Sequence, residues 1–393
     1  MSWVSRLAAL FGDSVRPRLL LVGPLPPPIH GQSVAFSMLV DHLLRENEFS
    51  VAVMNLTSAV ARRQGTASLG RVVELASTLS SALFSLVRAR LVYLTISQSA
   101  WGFMRDIPII WAAWVLRKKI VLHMHGGNLD GFFRARGVVY RRIIAATLCR
   151  AAVVILLSDK LRTRVGMVPG LAERTVVVPN GVALHSPLGV KRLLPGEEMH
   201  VLYLSNLVFE KGYLDVVEAA RVLRNRYPEV RAKFHFAGEF LLDRDTYTSV
   251  VEMRRDFFRR LREGSLENVV IYHGVVHGEE KERLLEQAHV FVLPTYYRYE
   301  GQPLSVLEAM AHGTPIVTTD HAAIGEMVRD GFNGFFVPPR DGQAIAERLS
   351  RFHRSPDLVE VMSERNLARV KESFSAESYA GSVAEVFRRC MRA

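Results

Sequence analysis

Apolar residues along this chain gather in short unbroken runs, with amphipathic stretches of helical spacing between them. Runs of that kind predict strands buried on both faces. In the first half they predict strands at 18–23, 51–55, 91–95, 120–125, 152–157 and 175–178. The proline-rich segment PLPPPIHGQS, from Pro24 to Ser33, reads as a rigid loop opening a helix over about 33–45. A second series runs through 201–205, 233–237, 269–272, 290–293 and 316–318. Repeated strand and helix alternation of this type predicts an α/β chain with doubly wound parallel sheets, whose ligands gather outside the carboxyl ends of the strands. Residues 183–198 have the turn residues and charge of a linker, so two domains are expected, 1–187 and 188–393. The length of 393 residues suits two cores. Residues 375–392 read as a terminal helix.

One stretch concentrates the chemistry. Glu300 to Val317, EGQPLSVLEAMAHGTPIV, places two carboxylates across seven intervening residues, Glu300 in a loop and Glu308 on a helix. Leu304, Val306, Leu307, Ala309, Met310 and Ala311 make that helix apolar nearly all round, which predicts burial against a sheet. Pro303 suits its first turn, where free N–H groups can receive phosphate, and Gly313 stops it. A carboxylate inside so apolar a helix needs polar partners, such as the vicinal hydroxyls of a ribose. A surface-facing Glu308 and a loop Glu300 without a role fit the spacing equally well.

The two glutamates, Gly301, Pro303 with Leu304, the Glu-Ala-Met-Ala run and Gly313-Thr-Pro together resemble the EX7E motif of retaining glycosyltransferases of family 4. These have the GT-B fold, two Rossmann-like domains facing across a cleft, and include bacterial polysaccharide enzymes. The resemblance implies that Glu300 holds donor-sugar hydroxyls and Glu308 the ribose. The segment LSNLVFEKG, from Leu204 to Gly212, lies between a predicted strand and helix. By the same resemblance, Lys211 meets the donor's diphosphate. Relatives carry an arginine five residues earlier, where this chain has Asn206, which can donate a hydrogen bond but brings no charge. In the first half, His125 follows a strand end and matches a histidine beside the donor sugar; His123 reads as a core histidine. Gly31 and Gln32 occupy a loop that in relatives is often Gly-Gly and approaches phosphate or acceptor. In relatives the last helix crosses back to the first domain. No cofactor is expected: a nucleotide diphosphate sugar is the co-substrate, and positive side chains and helix termini take the place of a metal.

The formal net charge of +11 and a pI near 9.9 point to an anionic partner. Two cysteines, Cys149 and Cys390, are too few for a disulfide framework and suit a reducing cytosol. The most lipid-like run, Ile107 to Leu116, is far short of a bilayer's thickness. Arginines 134, 136, 141, 142 and 150 read as one helix interleaved with Phe132, Phe133, Tyr140, Ile143 and Ile144. With Trp3, Leu7 and Phe11 of a short amphipathic start, they predict an anionic membrane surface as a partner. A second basic run, 254–262, reads as an ordinary solvated face. Nucleic acid is not expected, because no recognition helix or aromatic platform accompanies the charge.

The expectation is therefore a glycosyltransferase, peripheral on the cytoplasmic face of a membrane. It would transfer a sugar from a nucleotide diphosphate to a lipid-linked or saccharide acceptor with retention of configuration. A nucleotide-sugar epimerase or hydrolase of the same fold, and a non-catalytic scaffold, are the alternatives.

Overall fold

The computed structural model describes residues 16–57, 85–184, 189–242 and 246–392. Trp3, Leu7 and Phe11 lie outside them. The described chain forms two compact units, one running to Gly181 and including the last helix, the other spanning Val182–Ser375.

The first unit contains β1 (Arg18–Gly23), α1 (Gly31–Glu46), β2 (Ser50–Asn55), β3 (Leu91–Thr95), α2 (Ala100–Val115) and β4 (Lys119–Met124). It continues with α3 (Leu129–Arg134), α4 (Val138–Leu148), β5 (Val153–Leu156), the single turn α5 (Arg162–Val165) and β6 (Thr175–Val177). Its strands form one parallel sheet in the order β2-β1-β3-β4-β5-β6. Strand alternation divides the core cleanly. Leu19, Leu21, Tyr93, Val121 and Ile155 face one side with Phe36, Leu39 and Leu43 of α1. Leu20, Val22, Leu94, Leu122 and Val154 face the other, with Phe103, Ile109 and Ile110 of α2 and Ile144 and Leu148 of α4.

The second unit contains β7 (Met199–Leu204), α6 (Tyr213–Arg226), β8 (Ala232–Ala237), α7 (Val250–Glu263), β9 (Val270–Gly274), α8 (Gly278–Gln287) and β10 (Val290–Leu293). After these come α9 (Leu304–Ala311), β11 (Ile316–Thr318), α10 (Ile324–Met327), β12 (Gly334–Phe336), α11 (Gly342–Arg354) and α12 (Asp357–Ser373). The parallel order is β12-β11-β10-β7-β8-β9. The order in which the chain adds strands reverses between β7 and β10, the switch point outside which open α/β sheets hold their ligands. The last helix, α13 (Ala376–Arg392), returns to the first unit. There Val383, Ala384 and Phe387 join the α1 side of the core, and Arg388 pairs with Glu48 at 2.9 Å.

Strands at 18–23, 91–95, 290–293 and 316–318 lie where the apolar runs predict them. β12 was not anticipated: its three residues are Gly-Phe-Phe, too short to register as a run. The arginine helix is a correction. Arg134 ends one helix and Arg141 and Arg142 lie on another, with Arg150 just past its end, because Ala135 to Gly137 break the helix and Gly137 caps α4 with extended backbone.

Candidate functional site

Lys211 and Glu300, eighty-nine residues apart in sequence, meet at the β7/β10 switch point. β7 ends at Leu204, and a loop with a 3-10 turn over Phe209–Lys211 carries the lysine to Gly212. Gly212 has φ +74°, and a Cβ there would lie 2.7 Å from the Pro294 carbonyl oxygen. Glycine therefore lets the loop after β7 press against the loop after β10. Across that contact Lys211 Nζ lies 3.2 Å from Glu300 Oε2 and donates to Ser205 Oγ at 3.1 Å. It also stands 5.5 Å over the Tyr297 ring. Glu300 is buried, and Thr295 Oγ1 donates to its Oε2 at 3.4 Å. Gly301 accepts from Ala323 N at 3.1 Å, which ties down the residue after the glutamate.

Glu308 lies on α9, one turn in from the buried Leu304. Pro303 is the N-cap, with non-helical ψ of 117°, and so stands before the first turn rather than in it. The helix is buried as its composition predicts, but Glu308 is only partly covered, and Lys281 of α8 holds its Oε1 at 2.8 Å. The polar partner that the apolar helix demanded is thus supplied within the chain. Nothing in the spacing near Lys281 signals this. His312, just past the helix, bonds the Glu308 carbonyl through Nδ1 at 2.8 Å and Glu282 through Nε2 at 3.0 Å.

Asn206 is exposed, and its carbonyl oxygen accepts from Tyr203 OH at 3.4 Å. Its loop is crossed closely by the one after β8: Gly238 has φ +148°, and a Cβ there would lie 2.0 Å from the Ser205 oxygen. A cation that sequence reading did not single out stands nearby. Arg340 lies over the Tyr296 ring at 4.9 Å and the Phe209 ring at 5.9 Å, next to residues that flank Lys211 and Tyr297. Asp215, in the first turn of α6, has a buried Oδ2 without a hydrogen-bond partner among the described residues. Burial pushes its carboxyl up to about 6, although Arg340 opposes that rise.

In the first unit, His125 follows β4 as expected. Gln98 fastens its loop: Nε2 donates to the Gly126 oxygen at 2.8 Å, and Oε1 accepts from Asn128 N at 2.9 Å. The His125 ring stacks on His123 at 4.1 Å, and both its nitrogens are buried. Burial lowers its pKa to about 4; the Asn180 side chain opposes the shift and His30 adds to it, so the ring is neutral at pH 7. His123 is a core histidine, fully buried, its Nδ1 2.8 Å from Tyr93 OH. Gly31 and Gln32 begin α1, behind a capping box in which His30 and Ser33 exchange hydrogen bonds.

Two spacings also used by metal sites occur in the chain, His273-x-x-x-His277 and Asp243-x-Asp245. His273 instead bonds His235 at 3.0 Å, and the aspartates lie outside the described residues. Among the described residues, no three His, Cys, Asp or Glu side chains converge as an ion site would require.

Residues 198–355, which contain Lys211, Glu300 and Glu308, match the family of glycosyl transferases group 1. A putative colanic acid biosynthesis glycosyltransferase, WcaL, from Salmonella typhimurium is 27% identical over 281 residues, covering 70% of this chain and 65% of that protein. The amylovoran biosynthesis glycosyltransferase AmsK of Erwinia amylovora is 28% identical over 53% of this chain and 46% of its own length. The chain thus spans less than two-thirds of these relatives. Among solved structures, Anabaena HepE in complex with UDP and glucose superposes with a TM-score of 0.71 at 18% identity, covering 95% of this chain and all of that one. Sucrose-phosphate synthase from Thermosynechococcus elongatus gives 0.69 at 19% identity, over 95% and 99%. The chain accordingly has the GT-B fold, and residues 198–355 of its second unit resemble the group 1 glycosyl transferases.

Proposed function

We propose that this protein moves a hexosyl group from a nucleotide diphosphate sugar to a hydroxyl of a lipid-linked or saccharide acceptor, with retention of configuration, in cell-surface polysaccharide biosynthesis. The observation that carries the reading is the Lys211–Glu300 pair at 3.2 Å, held where the strand order reverses, inside the segment that matches group 1. The relatives named for colanic acid and amylovoran biosynthesis, and a structural neighbour solved with UDP and glucose, support the choice of chemistry.

Lys211 neutralises the departing diphosphate, an electrostatic stabilisation of the leaving group. Arg340 supplies the second positive charge that Asn206 cannot. Glu300 receives donor-sugar hydroxyls, and Glu308 the ribose hydroxyls, with Lys281 keeping its carboxylate oriented. His125 keeps the role implied by resemblance, stabilising the positive charge that develops on the sugar, and does so with a neutral ring. No carboxylate acts as a nucleophile. The bond from the anomeric carbon to phosphate oxygen breaks on the face where the acceptor oxygen bonds, and the acceptor's proton passes to the leaving phosphate. With cations at the diphosphate, the reaction is metal-independent. Binding to an anionic membrane from its cytoplasmic side completes the reading; no helix among the described residues is long and apolar enough to cross one.

A thermal-shift screen of UDP-, GDP-, ADP- and dTDP-sugars tests the donor class, since a ligand that binds only the folded state raises Tm. A selective shift, followed by an acceptor-dependent product of unchanged anomeric configuration by NMR, is expected. Product without acceptor would identify an epimerase or hydrolase; no shift with any donor would leave a scaffold.

A further inference from the structure

The solvent side of α2 is apolar, where a surface helix is ordinarily polar. Its buried side is Phe103, Asp106, Ile109, Ile110 and Ala113. The opposite side, at alternating spacings of three and four, carries Trp101, Met104, Pro108, Trp111 and Val115. Trp101 is 87% exposed, and Met104 and Val115 are exposed too. The helix has two charged residues, and one of them, Asp106, is fully buried, accepting from Ser97 N at 2.9 Å and pairing with Arg105. The face continues onto α4, where Val138, Val139 and Ile143 are exposed. The two helices are joined by Trp111 Nε1 donating to Thr147 Oγ1 at 3.0 Å and Tyr140 OH to the Ala100 oxygen at 3.4 Å.

The charge around this face is predominantly positive. Residues 98–150 hold nine Lys or Arg against two Asp, and Asp106 is buried. The arginines are not equivalent. Arg141 donates to the Arg136 oxygen at 2.7 Å and the Arg134 oxygen at 2.6 Å, closing the break between α3 and α4. Arg136 lies over Phe132 and Tyr140. Arg150 sits 4.1 Å from both the Trp111 and Trp114 rings and donates to the Ala146 oxygen. Arg117, Arg134 and Arg142 are exposed at the rim.

We propose that the joined solvent faces of α2 and α4 are the surface by which this protein lies on an anionic bilayer, Trp101, Met104, Val139 and Ile143 entering the interface while Arg117, Arg134 and Arg142 meet lipid phosphates. The proposal rests on the membrane contact in the reading above and locates it. Tryptophan and aliphatic side chains flanked by arginine suit the boundary between headgroups and acyl chains. A second copy of the chain fits poorly, because a two-fold contact through this face sets like charges against one another.

Vesicle flotation with the full chain tests this, using phosphatidylglycerol–phosphatidylcholine vesicles and phosphatidylcholine alone, with tryptophan quenching by brominated lipid. The parent is expected to float with the anionic vesicles at low salt, release at high salt and show quenching. Trp101→Ser with Met104→Ser should partition roughly tenfold less or worse, the loss expected from withdrawing two large apolar side chains. Arg142→Glu should lose roughly tenfold or more, since one favourable charge becomes unfavourable. Arg255→Glu with Arg262→Glu, on the exposed face of α7, should lose less than Arg142→Glu despite its larger charge change. Failure of the parent to float, equal flotation of the Trp101/Met104 variant, or greater loss from the α7 variant would overturn the proposal. So would a parent dimer that dissociates in the Trp101/Met104 variant without vesicle binding. Nucleotide-sugar binding retained by that variant separates failure here from failure of the donor-site reading.

Discussion

Lys211 and Glu300 form a pair whose removal can be worked through from the structure. Their side chains are 17% and 10% exposed, so the pair is neither dry nor freely screened. Lys211→Met leaves Glu300 with the long contact to Thr295 Oγ1 at 3.4 Å, a poor substitute for a cation at 3.2 Å. Breaking a fully buried pair costs about 3–5 kcal/mol; residual exposure reduces this to about 1–3 kcal/mol here. Glu300→Gln leaves Lys211 its bond to Ser205 and costs less, about 1–2 kcal/mol. The double variant has no stranded charge and should cost at least about 1 kcal/mol less than the sum of the single changes. Urea unfolding at pH 7.5 gives the three values. In parallel, Lys211→Met should weaken binding of the free nucleotide diphosphate roughly tenfold or more, whereas Glu300→Gln should not weaken it, because the lysine is then released from its competitor. Additive stability losses, together with unchanged diphosphate affinity in Lys211→Met, would refute the reasoning.

Between pH 3.8 and about 6 the folded chain retains a proton on Asp215 that the unfolded chain releases, so this group lowers stability as pH rises through that window. Asp215→Asn should stabilise by about 1–2 kcal/mol at pH 7.5, discounted for partial exposure, and the gain should vanish below about pH 4 in urea titrations. His235 has the opposite slope. Burial foremost, with His200, His273 and Lys233, lowers it to about 4, so the unfolded chain binds the extra proton first and stability falls from about pH 6.5 towards 4. His235→Gln should flatten that part of the urea midpoint curve by about 1–2 kcal/mol, discounted for solvent screening. Transfer should continue in excess EDTA; abolition by the chelator with rescue by magnesium or manganese would remove the metal-independent mechanism.

The fold was legible because parallel strands buried on both faces must be apolar throughout, and runs such as Leu19–Val22 and Val290–Leu293 leave little choice of element. Strand order was not, since no local pattern says that β7 lies beside β10, and that adjacency is what brings Lys211 to Glu300. Local motifs indicated Lys211, Glu300 and Glu308, but their partners Ser205, Thr295 and Lys281 carry no sequence signal. Arg340 follows two prolines with nothing in the sequence to mark it, yet stacks on Tyr296. Gly137 was the readable sign that the arginine-rich segment is two helices. The unusual solvent face of α2 was also present in its composition, which contains only Arg105 and Asp106 as charged residues, but burial was needed to show which side faces solvent.

The central claim is that a nucleotide diphosphate sugar is held by Glu308, Glu300 and Lys211 together. Calorimetric titration of the donor identified by the thermal-shift screen into the parent, Glu308→Ala and Glu300→Ala tests it most directly. Glu308→Ala should bind the donor and its free nucleotide diphosphate roughly tenfold more weakly or worse, the loss expected when a charged hydrogen-bonding group is removed. Glu300→Ala should bind the free nucleotide diphosphate like the parent while losing affinity for the intact sugar nucleotide. Parent-like affinity for the intact donor in both variants would contradict the account.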